Sequence, residues 1–214
     1  MQRRPLASWA LRPTTSELPK VSDQLEHWRD GDGDKTVGDL IALFEEKSFA
    51  ILFVILLGVP ALPIPTGGAT HVFEVIAVVL ALQLIAGRDE IWLPARWRAK
   101  ELAGDKQRKF LVGLVRMIRR LERLSRPRLR FLFHHRLSNG VFGVLVIGGS
   151  VAAFVAPPFT GLDTLPSLAV VLLSLAVLLE DILLAIVALA IGVVGVLLTA
   201  VLGSAAIKAI GGLF

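Results

Sequence analysis

Residues 48–88 read SFAILFVILLGVPALPIPTGGATHVFEVIAVVLALQLIAGR, and this stretch decides the fold. Two apolar runs, 48–59 and 72–86, flank a tip that holds Pro63, Pro65 and Gly67. Proline and glycine interrupt helices, so each apolar run is expected to form its own helix. A helix over residues 48–59 rises only about 18 Å, whereas the hydrocarbon core of a bilayer is about 30 Å thick. The stretch therefore predicts a broken helical hairpin with limbs too short to span a bilayer easily.

Two membrane topologies fit this hairpin. In the first, the hairpin is re-entrant and its tip lies at membrane depth. In the second, the limbs are two thin, tilted transmembrane helices joined by an external loop. Both place Lys47 and Arg88 on the same side of the membrane, and we favour the re-entrant form.

The composition is that of an integral membrane protein. Hydrophobic residues make up 54% of the 214 residues, and the chain has no cysteine, which excludes disulfides and thiolate metal sites. Its mean hydropathy of +0.69 is high for a soluble domain. The positive charge is concentrated, because 15 of the 23 Lys and Arg residues lie between positions 88 and 136. The positive-inside rule assigns that segment to the cytoplasm.

This basic segment contains an amphipathic helical pattern. Its apolar side chains recur at helical spacing: Leu111, Leu114, Ile118, Leu121 and Leu124. Arginines flank the stripe, and such a helix is expected to lie along an anionic leaflet. The residues expected to contact the membrane face are Gln83, Arg88, Arg116, Arg119, Arg120 and Arg136. Membrane lipids with anionic headgroups are thus the expected partners, and nucleic acid is not, because no recognisable nucleic-acid-binding module is present.

The second half of the chain repeats the first. A shift of 94 residues aligns Pro63 with Pro157, Thr66 with Thr160, Gly67 with Gly161 and Thr70 with Thr164. Apolar limbs over residues 141–156 and 165–179 flank this second tip, which also contains Pro158. Paired broken segments in two halves are typical of a transporter-like site between the tips. Both hairpins start from the cytoplasmic side, so the repeat is expected to be parallel.

The last apolar run, Ile182–Leu202, has 21 uncharged residues and is the best candidate for a full membrane span. Gly195, Thr199 and Gly203 are spaced by four, which predicts a face of small residues for close helix packing.

The predicted fold is an all-α integral membrane protein. It has two similar broken helical hairpins, a basic amphipathic surface helix between them, and a C-terminal transmembrane helix. Five parts follow: a polar, partly disordered tail (1–35), an interfacial helix and the first hairpin (36–88), the basic cytoplasmic segment (89–136), the second hairpin (137–181), and the C-terminal helix (182–214). Thr36 and Asp39 form a predicted capping box at the start of the interfacial helix.

Ionisable residues inside apolar segments mark candidate functional sites, because burying them is costly. His71 and Glu74 follow the first tip one helical turn apart, and Asp163 lies at the second tip. If the tips meet, these three form a cluster that relays a proton or binds a cationic group. Glu180 and Asp181 join the second hairpin to the last helix and are further candidates.

A structural interpretation of the same residues stays open. His71 and Glu74 would then satisfy free backbone groups at the broken tip. Glu180 and Asp181 would form a wetted interfacial turn in which Asp181 caps the last helix.

Enzyme signatures are absent from the sequence, which has no nucleophile elbow, P-loop, HExxH or dinucleotide fingerprint. We therefore expect no enzymatic activity, no cofactor and no metal. A membrane-bound hydrolase or transferase would need a buried acid/base pair, which only Glu74 and His71 offer.

The chain resembles the bacterial exopolysaccharide-synthesis ExoD family from about Thr36 to its end. The resemblance rests on the strings PIPTG (63–67), ALQLIAGR (81–88), IWLP (91–94), RPRL (126–129), APPF (156–159) and LLED (178–181). The most specific of these combines Gln83, Gly87, Arg88 and the Trp92–Pro94 stretch. The chain departs from the family at Ile182, where members often have glycine after the aspartate, so a role that needs an open turn there is in doubt.

The resemblance implies an inner-membrane protein linked to exopolysaccharide production, with no established reaction. Two hypotheses follow for its mechanism. In the first, the hairpin tips handle a lipid-linked or anionic substrate with proton coupling. In the second, the protein is a non-catalytic scaffold or regulator of a polysaccharide synthesis complex, with the basic helix as its docking surface. Polysaccharide synthesis proteins and a second copy of the chain are the expected protein partners.

Overall fold

The computed structural model describes residues 20–31, 35–44, 47–62, 70–88, 90–102, 104–125, 136–156 and 160–211. The described part of the chain is helical and contains no strands, as predicted. Its helices are α1 (Val21–Asp30), α2 (Val37–Phe44), α3 (Ser48–Gly58), α4 (His71–Ile85), α5 (Ala95–Arg98), α6 (Asp105–Leu124), α7 (Arg136–Val155), α8 (Thr164–Leu179) and α9 (Ile182–Gly211).

The centre of the fold is formed by two helix pairs, α3–α4 and α7–α8, that pack against each other. Helix α4 contacts α7 and α3 contacts α8. In the sequence repeat, α3 corresponds to α7 and α4 corresponds to α8. The contact between α4 and α7 is therefore the counterpart of the contact between α8 and α3, as expected for two related hairpins. The shift of 94 residues maps α4 onto residues 165–179, and α8 occupies Thr164–Leu179. The contacts therefore agree with the predicted repeat. The lengths agree for α4 and α8, with 15 and 16 residues, but not for α3 and α7, with 11 and 20.

Helix α3 is the core helix of the protein. Most of its side chains are buried, and Phe53 is fully enclosed. The Phe53 ring meets the Phe142 ring of α7 edge to face, with centroids 5.7 Å apart. An apolar helix buried on all sides has no solvated face, which explains why its sequence lacks the periodicity of a surface helix.

Glycines let the two hairpins approach closely. A Cβ atom built on Gly149 of α7 would overlap the side chain of Val170 on α8. A Cβ atom on Gly143 would lie 2.6 Å from Ile85 Cγ1 and 3.1 Å from the Ala81 carbonyl oxygen of α4. Helix α7 therefore packs between α4 and α8, with no room for a side chain at Gly143 or Gly149.

Helix α9 packs closely on α8. A Cβ atom on Gly195 would lie 3.0 Å from Leu165 and Pro166, and the Thr199 hydroxyl donates to the Gly195 carbonyl at 3.0 Å. The predicted small-residue face is confirmed at these two positions, while the surroundings of Gly203 lie outside the described residues. The helix runs to Gly211, beyond the uncharged run that ends at Leu202 and within the predicted range of 182–214.

The predicted N-terminal tail contains an ordered helix over residues 21–30, and its partial disorder stays a prediction. Leu25 of α1 is buried. The Ser22 hydroxyl donates to Glu122 of α6 at 2.5 Å, and Arg119 of α6 pairs with Glu26 of α1. Contacts across about 100 positions, rather than local sequence, hold α1 in place.

The predicted capping box is present at the start of α2. The Asp39 amide donates to the Thr36 hydroxyl oxygen at 3.2 Å, and the Thr36 amide donates to the Asp39 carboxylate at 3.0 Å. The Thr36 hydroxyl also donates to the Asp39 carboxylate, at 2.6 Å. This bond, and after it the bond from the Thr36 amide, holds the pKa of Asp39 below its usual value. Thr36 also forms an isolated antiparallel bridge with Glu101, which ties the start of α2 to the basic segment.

Helix α6 is amphipathic as predicted, but the protein covers its apolar stripe. Leu111, Leu114 and Ile118 are buried, whereas Leu124 is 82% exposed. The ring of Phe110 lies against Gly58 of α3. The stripe therefore packs inside the protein, where α1 and the first hairpin supply its apolar partner, and the placement of α6 along an anionic leaflet stays a prediction.

The large exposed apolar side chains of the described ranges lie mainly on three helices. Apart from Leu62, Trp92 and Leu124, all the large exposed hydrophobic residues in the described ranges lie on α4, α7 and α9. Helix α4 contacts α7, which in turn contacts α9. By length and composition alone, α7 and α9 each contain a segment able to cross a membrane, at residues 138–155 and 182–202. These features suggest membrane association.

Candidate functional site

His71 and Glu74 form a hydrogen-bonded pair at the start of α4. The distance from His71 Nδ1 to Glu74 Oε2 is 2.7 Å, as expected for residues three apart on one helix face. The Glu74 side chain is completely buried, while 28% of the His71 side chain is exposed. One partner is thus sealed inside the protein and the other reaches its surface.

The second hairpin completes the cluster. The Phe154 ring of α7 lies 4.9 Å from the His71 ring. Asp163, which immediately precedes α8, is close enough to Glu74 for the two carboxyl groups to interact electrostatically. The structure therefore brings together the three tip residues that the sequence singled out, one pair from the first hairpin and one carboxyl group from the second.

Two serines near this cluster were missed by the sequence analysis. The Ser150 and Ser167 hydroxyls are buried and, like Glu74 Oε1, accept or donate no hydrogen bond within the described part of the chain. Ser174 contrasts with them, because its hydroxyl donates to the Val170 carbonyl at 2.7 Å. Serine in an apolar helix is easily taken for a small packing residue, and only burial without a partner distinguishes these two.

The orientation of α7 places Ser150 near Glu74. Helix α7 runs antiparallel to α4, since Gly143 lies against Ala81 and Phe154 lies against His71. Ser150 precedes Phe154 by one turn on α7, and Glu74 follows His71 by one turn on α4. The two residues therefore lie at the same level along the helix axes. Ser167 follows Asp163 by one turn, and its amide donates to the Asp163 carbonyl at 3.1 Å.

Glu180 and Asp181 do not belong to this cluster, which corrects their assignment to one site with the tip residues. They lie at the other end of α8, about 24 Å away for a helix of that length. Lys47 Nζ lies 2.8 Å from Glu180 Oε1 and donates to the Leu178 carbonyl at 3.1 Å. Asp181 Oδ1 accepts from the Leu183 amide at 2.9 Å and caps α9. The Asp181 cap agrees with the structural interpretation of this pair, but the turn is not wetted, because Glu180 and Asp181 are each only 5% exposed.

The turn between α8 and α9 is formed by Glu180 itself. Its φ of 55° lies in the left-handed region, which is uncommon for a residue other than glycine. Ile182 already belongs to α9. Because the left-handed residue of the turn is Glu180, the turn does not require glycine at position 182.

Gln83 has a structural role in place of the predicted contact with the membrane face. Its side chain accepts from the Trp92 amide at 2.8 Å and donates to the Trp92 carbonyl at 3.2 Å. Arg88 is exposed, just after Gly87, whose φ of +73° favours glycine. Arg119 pairs with α1, whereas Arg116 and Arg120 are exposed.

Several predicted residues fall outside the described part of the chain. These are Pro63, Pro65, Gly67, Pro157 and Pro158, together with the side chain of Arg136. Of the predicted tip residues, Gly161 is described, and its φ of +70° explains why glycine occupies the turn before α8.

Comparison with known proteins shows the family of this chain. A family model described as "Exopolysaccharide synthesis, ExoD" matches residues 21–201. The chain belongs to the ExoD family. Membership indicates a role in exopolysaccharide synthesis for this ExoD-family protein, and the match begins at α1 rather than at Thr36, where the sequence resemblance began.

Two relatives of this ExoD-family chain are similar over most of its length. A protein of Synechocystis sp. (strain ATCC 27184 / PCC 6803 / Kazusa), itself named only as uncharacterised, is 31% identical over 156 residues, which cover 72% of this chain and 73% of the relative. Protein ExoD of Rhizobium meliloti (strain 1021) is 30% identical over 147 residues, which cover 68% of this chain and 61% of that protein. No solved structure matches the chain.

The most specific string of the ExoD resemblance now has a structural explanation. Residues 81–94 contain the end of α4, the left-handed Gly87 and the loop that Gln83 holds by its two hydrogen bonds to Trp92. In this ExoD-family protein, the string forms the end of the first hairpin and the loop that follows it.

Proposed function

We propose that this ExoD-family protein supports exopolysaccharide synthesis by handling a lipid-linked or anionic substrate at the tips of its two hairpins, with proton coupling. It does so as a multi-pass protein of the bacterial inner membrane. The observation that carries the proposal is Glu74, a fully buried carboxyl group bonded to His71 and facing Asp163 of the other hairpin.

The tip cluster has the chemistry that proton coupling needs. A carboxyl group and an imidazole 2.7 Å apart lie within the distance at which a proton can pass directly between them. Asp163 opposes negative charge on Glu74, because two carboxylates close together repel each other. A cationic group or a proton that arrives between the hairpins would relieve this repulsion, which links occupancy of the site to the protonation of Glu74.

The unpartnered oxygen atoms nearby support a polar ligand at this place. Glu74 Oε1, Ser150 Oγ and Ser167 Oγ are buried without a hydrogen bond from any described residue. Buried polar atoms are normally hydrogen-bonded, so such a group calls for a specific reason. Hydroxyl groups of a saccharide substrate would donate to Glu74 Oε1 and exchange hydrogen bonds with the two serine hydroxyls.

Charged residues away from the tips support attraction of an anionic substrate. Arg88 is exposed at the end of the first hairpin, and Arg116 and Arg120 are exposed on α6. Cationic side chains near an anionic leaflet raise the local concentration of phosphate headgroups. In this proposal they collect the substrate, and the tip residues act on it.

Replacing Glu74 by glutamine is expected to reduce exopolysaccharide output at least tenfold, because the amide keeps the shape of the side chain but cannot exchange a proton. Asp163→Asn is expected to have the same effect. Output would be measured in a strain that lacks the native gene, together with the amount of protein in the membrane. Glu90→Gln, at an exposed position, provides the control and should leave output unchanged. Normal output from Glu74→Ala and Asp163→Ala at normal protein levels would contradict the mechanism.

The scaffold hypothesis is favoured by one specific observation, the exposed basic side of α6. The protein covers the apolar stripe, yet Arg116, Arg120 and Arg123 stay exposed. If reversing the charge of Arg116 and Arg123 abolishes output while the tip acids are dispensable, the protein acts as a docking surface and not at its tips.

The re-entrant topology predicts a specific labelling pattern. A single cysteine at Leu162, in a chain that has none of its own, should resist an impermeant thiol reagent added from the periplasm and react when the reagent enters from the cytoplasm. Leu124→Cys on the exposed end of α6 is the control for cytoplasmic access. Strong labelling of position 162 from the periplasm would make the tip an external loop.

A further inference from the structure

A cavity of about 310 Å³ lies on the outer flank of the first hairpin, away from the tip cluster. Its walls come from α3 and α4 on one side and from the basic segment on the other. The main apolar lining residues are Leu52, Ile55, Leu56, Ile76, Leu80 and Phe110. On α4 these residues share a face with Phe73, whereas Glu74 lies about 100° further round the helix. The cavity is therefore separate from the site of the proposed function.

This cavity is a pocket that is open to the surface and has room for a small ligand. Its volume falls at the lower end of the roughly 300–1,000 Å³ that small-molecule sites occupy. Walls this apolar offer water few hydrogen bonds, so an apolar ligand suits the space better than water does.

Polar groups in the cavity wall are concentrated at one place. Lys100, Glu101 and Trp97 line the cavity there, and the first two are exposed, so the cavity reaches the surface at this point. Lys100 forms no ion pair with any residue in the described ranges. Arg96 and Arg98 of α5 are also exposed, which gives residues 95–101 three cationic side chains against one carboxylate.

We propose that this cavity binds a membrane lipid by one hydrocarbon chain, with the phosphate headgroup of the lipid at Lys100. The chain occupies the apolar space between α3, α4 and α6. The phosphate lies at the opening, where the excess of positive charge over Glu101 attracts it. Trp97 lies at the boundary between the two, the position that tryptophan favours at membrane interfaces.

Trp97 provides a fluorescent reporter inside the cavity wall. Trp9→Phe, Trp28→Phe and Trp92→Phe together leave Trp97 as the single tryptophan of the full chain. The detergent-purified protein would be titrated with bromine-labelled dodecyl phosphate, whose bromine quenches tryptophan on contact, and with bromine-labelled dodecanol. We expect saturable quenching by the phosphate with a Kd at least tenfold lower than that of the alcohol. Equal quenching by both compounds would overturn the headgroup assignment.

Charge variants test the headgroup contact at Lys100, and a cavity-filling variant tests the binding of the hydrocarbon chain. Lys100→Glu is expected to raise the Kd of dodecyl phosphate at least tenfold. Arg123→Glu makes the same charge change at the far end of α6 and should alter the Kd less than twofold. Ile76→Phe fills the cavity and should abolish quenching, with its helical content and Tm compared with those of the parent to show that it is folded. Unchanged quenching in a folded Ile76→Phe variant would overturn the proposal.

Inorganic phosphate distinguishes a lipid from a free anion. It is expected to compete with dodecyl phosphate only at a concentration at least a hundredfold higher, since it lacks the chain that fills the cavity. Competition at equal concentration would make this a site for free phosphate and overturn the lipid assignment. Because the tip residues are untouched in all these variants, the outcome is independent of whether Glu74 carries the proposed function.

Discussion

Replacing Lys47 by methionine is expected to lower the free energy of unfolding by about 2–3 kcal/mol. Lys47 precedes α3 and pairs with Glu180 at the end of α8, with 35% and 7% of the two side chains exposed. Removing one partner of a buried ion pair costs about 3–5 kcal/mol, because the other charge stays in a poorly solvated place. The partial exposure of Lys47 lowers that figure, since water screens part of the interaction.

The double variant Lys47→Met/Glu180→Gln tests this explanation. Removing both charges should restore most of the lost stability, because no buried carboxylate remains without its ammonium partner. Denaturation in mild detergent, followed by circular dichroism, measures all four members of the cycle. A loss below about 0.5 kcal/mol in the Lys47→Met variant, in the range of ordinary surface substitutions, would show that the pair does not hold the hairpins together.

Gly149 and Gly148 are adjacent on α7, yet their replacement by leucine is expected to have opposite effects. A side chain at position 149 would overlap Val170 of α8, whereas a Cβ atom at position 148 meets nothing within 4 Å. Overpacking a closely packed interface costs about 1–3 kcal/mol, and the size of leucine places Gly149→Leu near the upper end. Gly148→Leu should leave the protein as stable or up to about 1 kcal/mol more stable, since glycine is a poor helix former.

The comparison between these neighbours isolates the α7–α8 contact, because composition and position along the helix are matched. Tm values in detergent would show the difference directly. Similar Tm values for Gly149→Leu and Gly148→Leu would mean that α7 and α8 are not in close contact at this point.

Local sequence was sufficient to predict the helical class and the core of the tip cluster. Proline and glycine follow the end of α3 and the end of α4, whereas glycines inside α7 and α9, and Pro166 inside α8, do not interrupt their helices. His71 and Glu74 follow from their spacing alone. Asp163 could be added because the repeat predicts that the second tip lies beside the first.

Features that depend on distant partners could not be predicted. An amphipathic pattern shows that α6 has an apolar side but not what covers it, and here α1 and the first hairpin do so. Glu180 looked like a candidate site residue because its partner, Lys47, is 133 positions away. The unpartnered state of Ser150 and Ser167 depends on what the neighbouring helices lack, which no spacing in the sequence reveals.

The burial of α3 has a consequence for biosynthesis. This helix is enclosed in part by α8, which begins at Thr164, whereas α3 ends at Gly58. At about 5–20 residues per second, the ribosome needs on the order of 5–20 s to produce the intervening chain. Throughout that interval an almost wholly apolar helix has an uncovered side, which other factors in the cell must shield. The core is therefore completed late, when α8 displaces the temporary neighbours of α3.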